Sequence, residues 1–77
     1  MDYDNQGIER TKKIIEEAAK QYVNETKMEF PSIANSDLTI TSNHTEVVIL
    51  RDNKGNIIAH YQLLKEYSFL RLDDRTA

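Results

Sequence analysis

A change of hydrophobic period near residue 30 constrains this chain more than any other feature. Between residues 8 and 23 the apolar side chains recur at helical spacing. Between residues 38 and 72 they come in short β-rich runs separated by turn residues. A 3.6-residue period followed by a two-residue period specifies one helix and then a sheet. These elements use up nearly all of the 77 residues, so the chain reads as one domain.

The helix is expected over 7–27, after a polar lead-in at 1–6 in which Asp4 or Asn5 caps the first turn. Ile8, Thr11, Ile15, Ala18, Ala19 and Tyr22 fall on one stripe, with Ile14 and Val23 at its flanks. Glu9 and Lys13, and Glu16 and Lys20, are spaced four apart on the polar side, each pair worth about 0.2–0.5 kcal/mol. Lys27 to Phe30 can add a last turn. Pro31 disfavours a helical residue before it and marks the stop. Residues 31–37 read as a loop, with Ile33 closing the end of the core.

Four strands are expected over 38–42, 45–51, 57–64 and 67–72, followed by a polar tail at 73–77. Asp52-Asn53-Lys54-Gly55-Asn56 is the strongest local signal, because Gly55 supplies the positive φ of a hairpin loop and Asp or Asn side chains bond their own backbone. Connections this short force antiparallel neighbours. The expected fold is α+β: one N-terminal amphipathic helix packed on a four-stranded antiparallel β-meander, an α-β-β-β-β two-layer sandwich.

A sheet covered on one face should alternate apolar with polar. The later strands do not: Val47 and Ile49 oppose Val48 and Leu50, Ile57 and Ala59 oppose Ile58, and Leu70 and Leu72 oppose Tyr67 and Phe69. One helix cannot shield both sides, and contiguous apolar patches mark interaction sites. The set assigned to the free face is Val48, Leu50, Ile58, Tyr67 and Phe69, or the corresponding set after a phase shift, with Tyr61 and Arg71 at the rim.

Catalytic and cofactor chemistry finds little support. There are no cysteines, and His44 and His60 have no ligand spacing between them, so no metal or other cofactor is expected. Ser32, Ser36, Ser42 and Ser68 sit in no glycine elbow. Glu46 or Glu66 near Asp73 reads as solvated surface rather than an acid–base pair. Gly7 and Gly55 form no phosphate cradle, and the 52–56 stretch lacks the ligand spacing of a calcium loop. The chain reads as a non-enzyme.

The net charge is −3 with 30% charged residues of both signs. This disfavours a polyanion partner, although Tyr61, Tyr67 and Phe69 with Arg51, Lys65 and Arg71 make a set that stacks bases, opposed by Asp52, Glu66, Asp73 and Asp74. The first residues are acidic where an export signal is basic and apolar, and no run is long enough to span a bilayer, so a cytoplasmic location off the membrane is expected. The resulting expectation is a stand-alone protein-binding module, an inhibitor or adaptor, that docks a sheet face or edge on a protein target, one with a basic surface being suited to the acidic balance. Single short domains of this kind are common among phage and mobile-element accessory proteins. The alternatives are a structural homodimer and a single-stranded nucleic-acid binder.

Overall fold

A computed structural model describes residues 2–65 and 67–72. The expected polar tail at 73–77, and the roles weighed for Glu66, Asp73 and Asp74, lie outside the described residues. The element order is α1 (Asp2–Thr26), β1 (Ser32–Ile40), β2 (Glu46–Arg51), β3 (Ile57–Lys65) and β4 (Ser68–Arg71). The strands form one antiparallel sheet in the order β1-β2-β3-β4 with α1 packed on one face, the expected α-β-β-β-β layout.

The helix starts at Asp2, so the expected lead-in is helical and Asp4 and Asn5 lie inside the first turns. Its buried face is Ile14, Ile15, Ala18, Ala19 and Tyr22. Twenty-five residues make a helix of about 37 Å, longer than four strands spaced about 4.8 Å apart are wide. Ile8, two turns before Ile15, is therefore 59% exposed. On the outer side Glu17 collects two lysines, Lys13 at 3.1 Å and Lys20 at 3.5 Å, in place of the expected Glu9–Lys13 and Glu16–Lys20 pairs.

The helix ends at Thr26 without the extra turn through Phe30. Lys27 takes φ 61°, and its N–H bonds to the Val23 carbonyl at 2.7 Å. This is the left-handed cap usually filled by glycine. The Thr26 hydroxyl donates back to the Tyr22 carbonyl at 2.8 Å and accepts from the Met28 N–H at 3.2 Å, closing the cap.

Strand β1 begins at Ser32, where a loop was expected, because Ser36 supplies a substitute for ladder hydrogen bonds. From Ser32 to Asp37 β1 advances five residues while β2 moves two, from Arg51 to Ile49. The Ser36 hydroxyl donates to the Ser32 carbonyl at 2.7 Å and accepts from the Arg51 N–H at 2.9 Å, clasping the bulge. Two three-residue hairpin loops follow the same plan, a turn closed by a left-handed residue. In one, His44 N–H bonds to the Thr41 carbonyl at 2.9 Å and His44 has φ 60°. In the other, Gly55 N–H bonds to the Asp52 carbonyl at 3.0 Å and Gly55 has φ 88°.

Candidate docking face

The ladder registers decide which side chains face the helix. Val48 pairs with Tyr61, Leu50 with Ala59, and Leu63 with Phe69. Val48, Leu50, Ala59 and Tyr61 are fully buried and Phe69 is 8% exposed. They join the helix stripe in one core, with the Tyr61 and Phe69 rings edge to face at 6.1 Å.

Four residues assigned to a docking patch, Val48, Leu50, Tyr61 and Phe69, are thus core residues. Ile58 is half-buried and packs on the same core. The reason is a one-residue bulge. Asp52 N–H bonds to the Asn56 carbonyl at 2.9 Å, and unbroken pairing from there sets Leu50 against Ile58. The observed register shifts after Arg51↔Ile57, and Leu50 meets Ala59 instead. A slip of one residue exchanges the faces of a strand. Ile58 and Ala59 both serve the core as a result.

Tyr67 and Arg71 lie at the helix-side rim. Tyr67 is 46% exposed, and the Lys13 ammonium sits 5.8 Å from its ring centre. Its φ of 63° is a strained value for an aromatic residue. The Arg71 guanidinium lies 5.7 Å from the Tyr22 ring centre and 5.5 Å from that of Tyr61. Beside it the Tyr61 hydroxyl donates to Glu25 Oε1 at 2.8 Å, and Gln21 Nε2 donates to Glu25 Oε2 at 2.9 Å and to the Phe69 carbonyl at 3.0 Å. Burial, and then the bond to the Glu25 carboxylate, push the Tyr61 hydroxyl well above the ordinary tyrosine range. Since Tyr61 and Phe69 are enclosed, they do not offer ring faces for base stacking.

The opposite face of the sheet is the one without a helix. Its side chains form three rows across the strands. Thr39, Val47, Gln62 and Leu70 are successive partners in one row. Asp37, Ile49 and His60 make the next, extended by Leu72, whose N–H bonds to the His60 carbonyl at 2.9 Å. Arg51 and Ile57 begin a third. Val47 and Ile49 are half-buried by their neighbours, whereas Leu70 and Ile57 are each 51% exposed and Leu72 is 45% exposed. Within these rows the charged side chains are Asp37 and Arg51, and they bind each other, Arg51 Nε to Asp37 Oδ2 at 3.3 Å.

Two hollows lie elsewhere. A groove of about 1080 Å³ between the first half of α1 and β1 is lined by Ile8, Thr11, Ile15 and Ile33, with Lys12 the one charged side chain among its described lining residues. A cavity of about 370 Å³ beyond the helix C-terminus is lined by Tyr22, Phe30, Pro31 and Ile58, with Glu29 and Asp52 at its margin. The first also takes in the Ser36 side and the second the Ser32 side of β1. Among the described residues no three His, Cys, Asp or Glu side chains converge as metal ligands, and no helix is long and apolar enough to cross a membrane.

Across the sheet, Arg10 grips Glu46 with two bonds, Nη1 to Oε2 at 2.7 Å and Nη2 to Oε1 at 2.9 Å. The Arg10 hydrogen bond holds the Glu46 carboxyl below its ordinary range. Glu46 thereby ties the helix to the start of β2.

Comparison with protein-family models, with curated proteins and with solved structures found no match to this chain.

Proposed function

We propose that the chain is a protein-binding module, an inhibitor or adaptor that docks the helix-free face of its sheet on a target. The observation that carries this reading is the apolar set Val47, Ile49, Leu70 and Leu72 in two adjoining rows with no described element over them. Water contact with such a set is unfavourable by roughly 25 cal/mol per Å² of apolar surface, and a partner relieves it. With Asp37 and Arg51 neutralising each other, the face suits an apolar patch better than a strongly basic one.

The test compares the unaltered chain with Leu70→Glu/Leu72→Glu as baits in affinity capture. Both positions are exposed, so both baits keep the core. A partner held by the unaltered chain and by Lys20→Glu, on the outer side of the helix, but lost by the double variant supports the reading. Equal retention by all three baits counts against it.

A further inference from the structure

We propose that the occupant of the helix-free face is a second copy of this chain, with the two sheets packed face to face in a two-fold α-β-β-α dimer. This deepens the docking reading and rests on it.

Area is the first argument. Four strands about 4.8 Å apart, each contributing roughly five residues at about 3.3 Å, cover about 300 Å² in plan. A pair of such faces sits at the low end of interface size, below the roughly 1,200–2,000 Å² of stable complexes, which fits a dimer that forms only at high concentration. The exposed leucines, Leu70 and Leu72, supply the apolar share, and Val47 and Ile49 extend it across β2.

Charge is the second. Two chains of net charge −3 repel unless their charges stay apart. The Lys13, Glu17 and Lys20 cluster belongs to the helix, on the side of the sheet opposite the free face, with Lys13 also over the Tyr67 ring at the helix-side rim. In a face-to-face pair the two helices are outermost, separated by two sheets that pack about 10 Å apart. That exceeds the screening length of about 8 Å at physiological salt. The face itself brings the Asp37–Arg51 pair and no excess of either sign within its rows. Such a face is complementary to itself.

Polar satisfaction is the third. His60 and Gln62 sit mid-face on β3, beside Ile49 and Val47. An imidazole and a primary amide each carry donors and acceptors. A two-fold axis between the sheets, over the β2–β3 pair, brings both groups of one copy to both groups of the other, so neither is buried unpaired.

Sedimentation equilibrium across roughly 1 μM to 1 mM tests this, a range matched to an interface near the lower size limit. The expected mass rises from the 9.0 kDa of one chain to twice that. Leu70→Glu/Leu72→Glu raises the dissociation constant by about 100-fold or more, with far-ultraviolet circular dichroism confirming an unchanged fold. An orthogonal readout uses the absence of cysteine. Under mild oxidation Gln62→Cys cross-links to a dimer, whereas Lys20→Cys does not. A mass fixed at one chain throughout, a dimer indifferent to the leucine changes, or cross-linking at position 20 in place of 62 overturns the proposal. A monomer whose captured partner is still lost on Leu70→Glu/Leu72→Glu overturns self-pairing alone and leaves the docking reading standing.

Discussion

The Tyr61 hydroxyl donates to Glu25 across 2.8 Å, tying the middle of β3 to the last turn of the helix. The ring is fully buried while its oxygen reaches the wet rim of the core. Tyr61→Phe keeps the packing and removes the bond. The expected loss is about 1 kcal/mol, because Glu25 is exposed and water replaces the donor. For a domain of this size that lowers the melting temperature by about 4–8 °C. The same tyrosine makes a pH-dependent contribution to stability in alkali. Its proton is held more firmly in the folded chain than in the unfolded one. Stability is therefore intact below about pH 10, where an unfolded tyrosine titrates, and falls as pH rises beyond it. Denaturant midpoints measured from pH 8 to 11 check the slope, which Tyr61→Phe should flatten.

His44 and Gly55 occupy the same left-handed position of two like loops, but only one of them is glycine. A side chain costs about 1 kcal/mol there. His44→Gly is expected to raise stability by about 0.5 kcal/mol, the gain being reduced by the freer unfolded chain. Gly55→Ala is expected to lower it by about 1 kcal/mol through strain alone, since nothing lies within 4 Å of a Cβ added there. Thermal melts of the two variants should move in opposite directions.

Asp52 organises the second loop. Its Oδ1 accepts the N–H groups of Asn56 and Lys54, each at 2.9 Å, and Oδ2 accepts the Asn56 amide at 3.3 Å. The Asn56 N–H bond, followed by that of Lys54, holds the carboxyl below the ordinary aspartate value of 3.8. The folded chain thus releases this proton more readily than the unfolded one. The benefit is complete above the ordinary value and disappears as pH falls through the folded one. Asp52→Ala should lie below the unaltered chain in denaturant midpoint at pH 7, and the gap should close in acid. A constant gap from pH 7 to pH 2 would contradict the role of its charge.

The two faces of the sheet should answer differently to truncation. Leu50→Ala removes a fully buried side chain and is expected to cost about 2–5 kcal/mol. Leu70→Ser, half exposed on β4, is expected to change stability by no more than about 0.5–1 kcal/mol. Urea unfolding at a concentration low enough to keep the chain monomeric makes the comparison. Similar losses at both positions would mean that the face without the helix is covered after all.

Periodicity alone was enough to identify the helix, the number of strands and their antiparallel order, because burial of one stripe and short connections act locally. Which face of β2 and β3 is buried was not legible, because its decisive feature is a bulge. Nothing about Ile57-Ile58 in sequence says that two residues will face one. A clue lay in the small residues. Ala59 shares its strand face with Tyr61, and it is fully buried in one core with Ala18 and Ala19 of the helix. Following that alanine across the hairpin places Leu50 and Val48 inside and leaves Val47, Ile49 and Leu70 outside. The early start of β1 was hidden for another reason: a serine side chain, not a backbone ladder, holds its first half.

That serine clasp also governs how an assembly of this protein can grow. Because β1 gathers three surplus residues between Ser32 and Asp37, its outer border is puckered, and an incoming strand finds no straight run of donors and acceptors to copy. The other border is the four-residue β4, too short to template much. Among the described residues, both borders are poor templates for strand addition. In the proposed face-to-face pair, association uses the broad side, where two copies cover each other's sticky surface and stop at two.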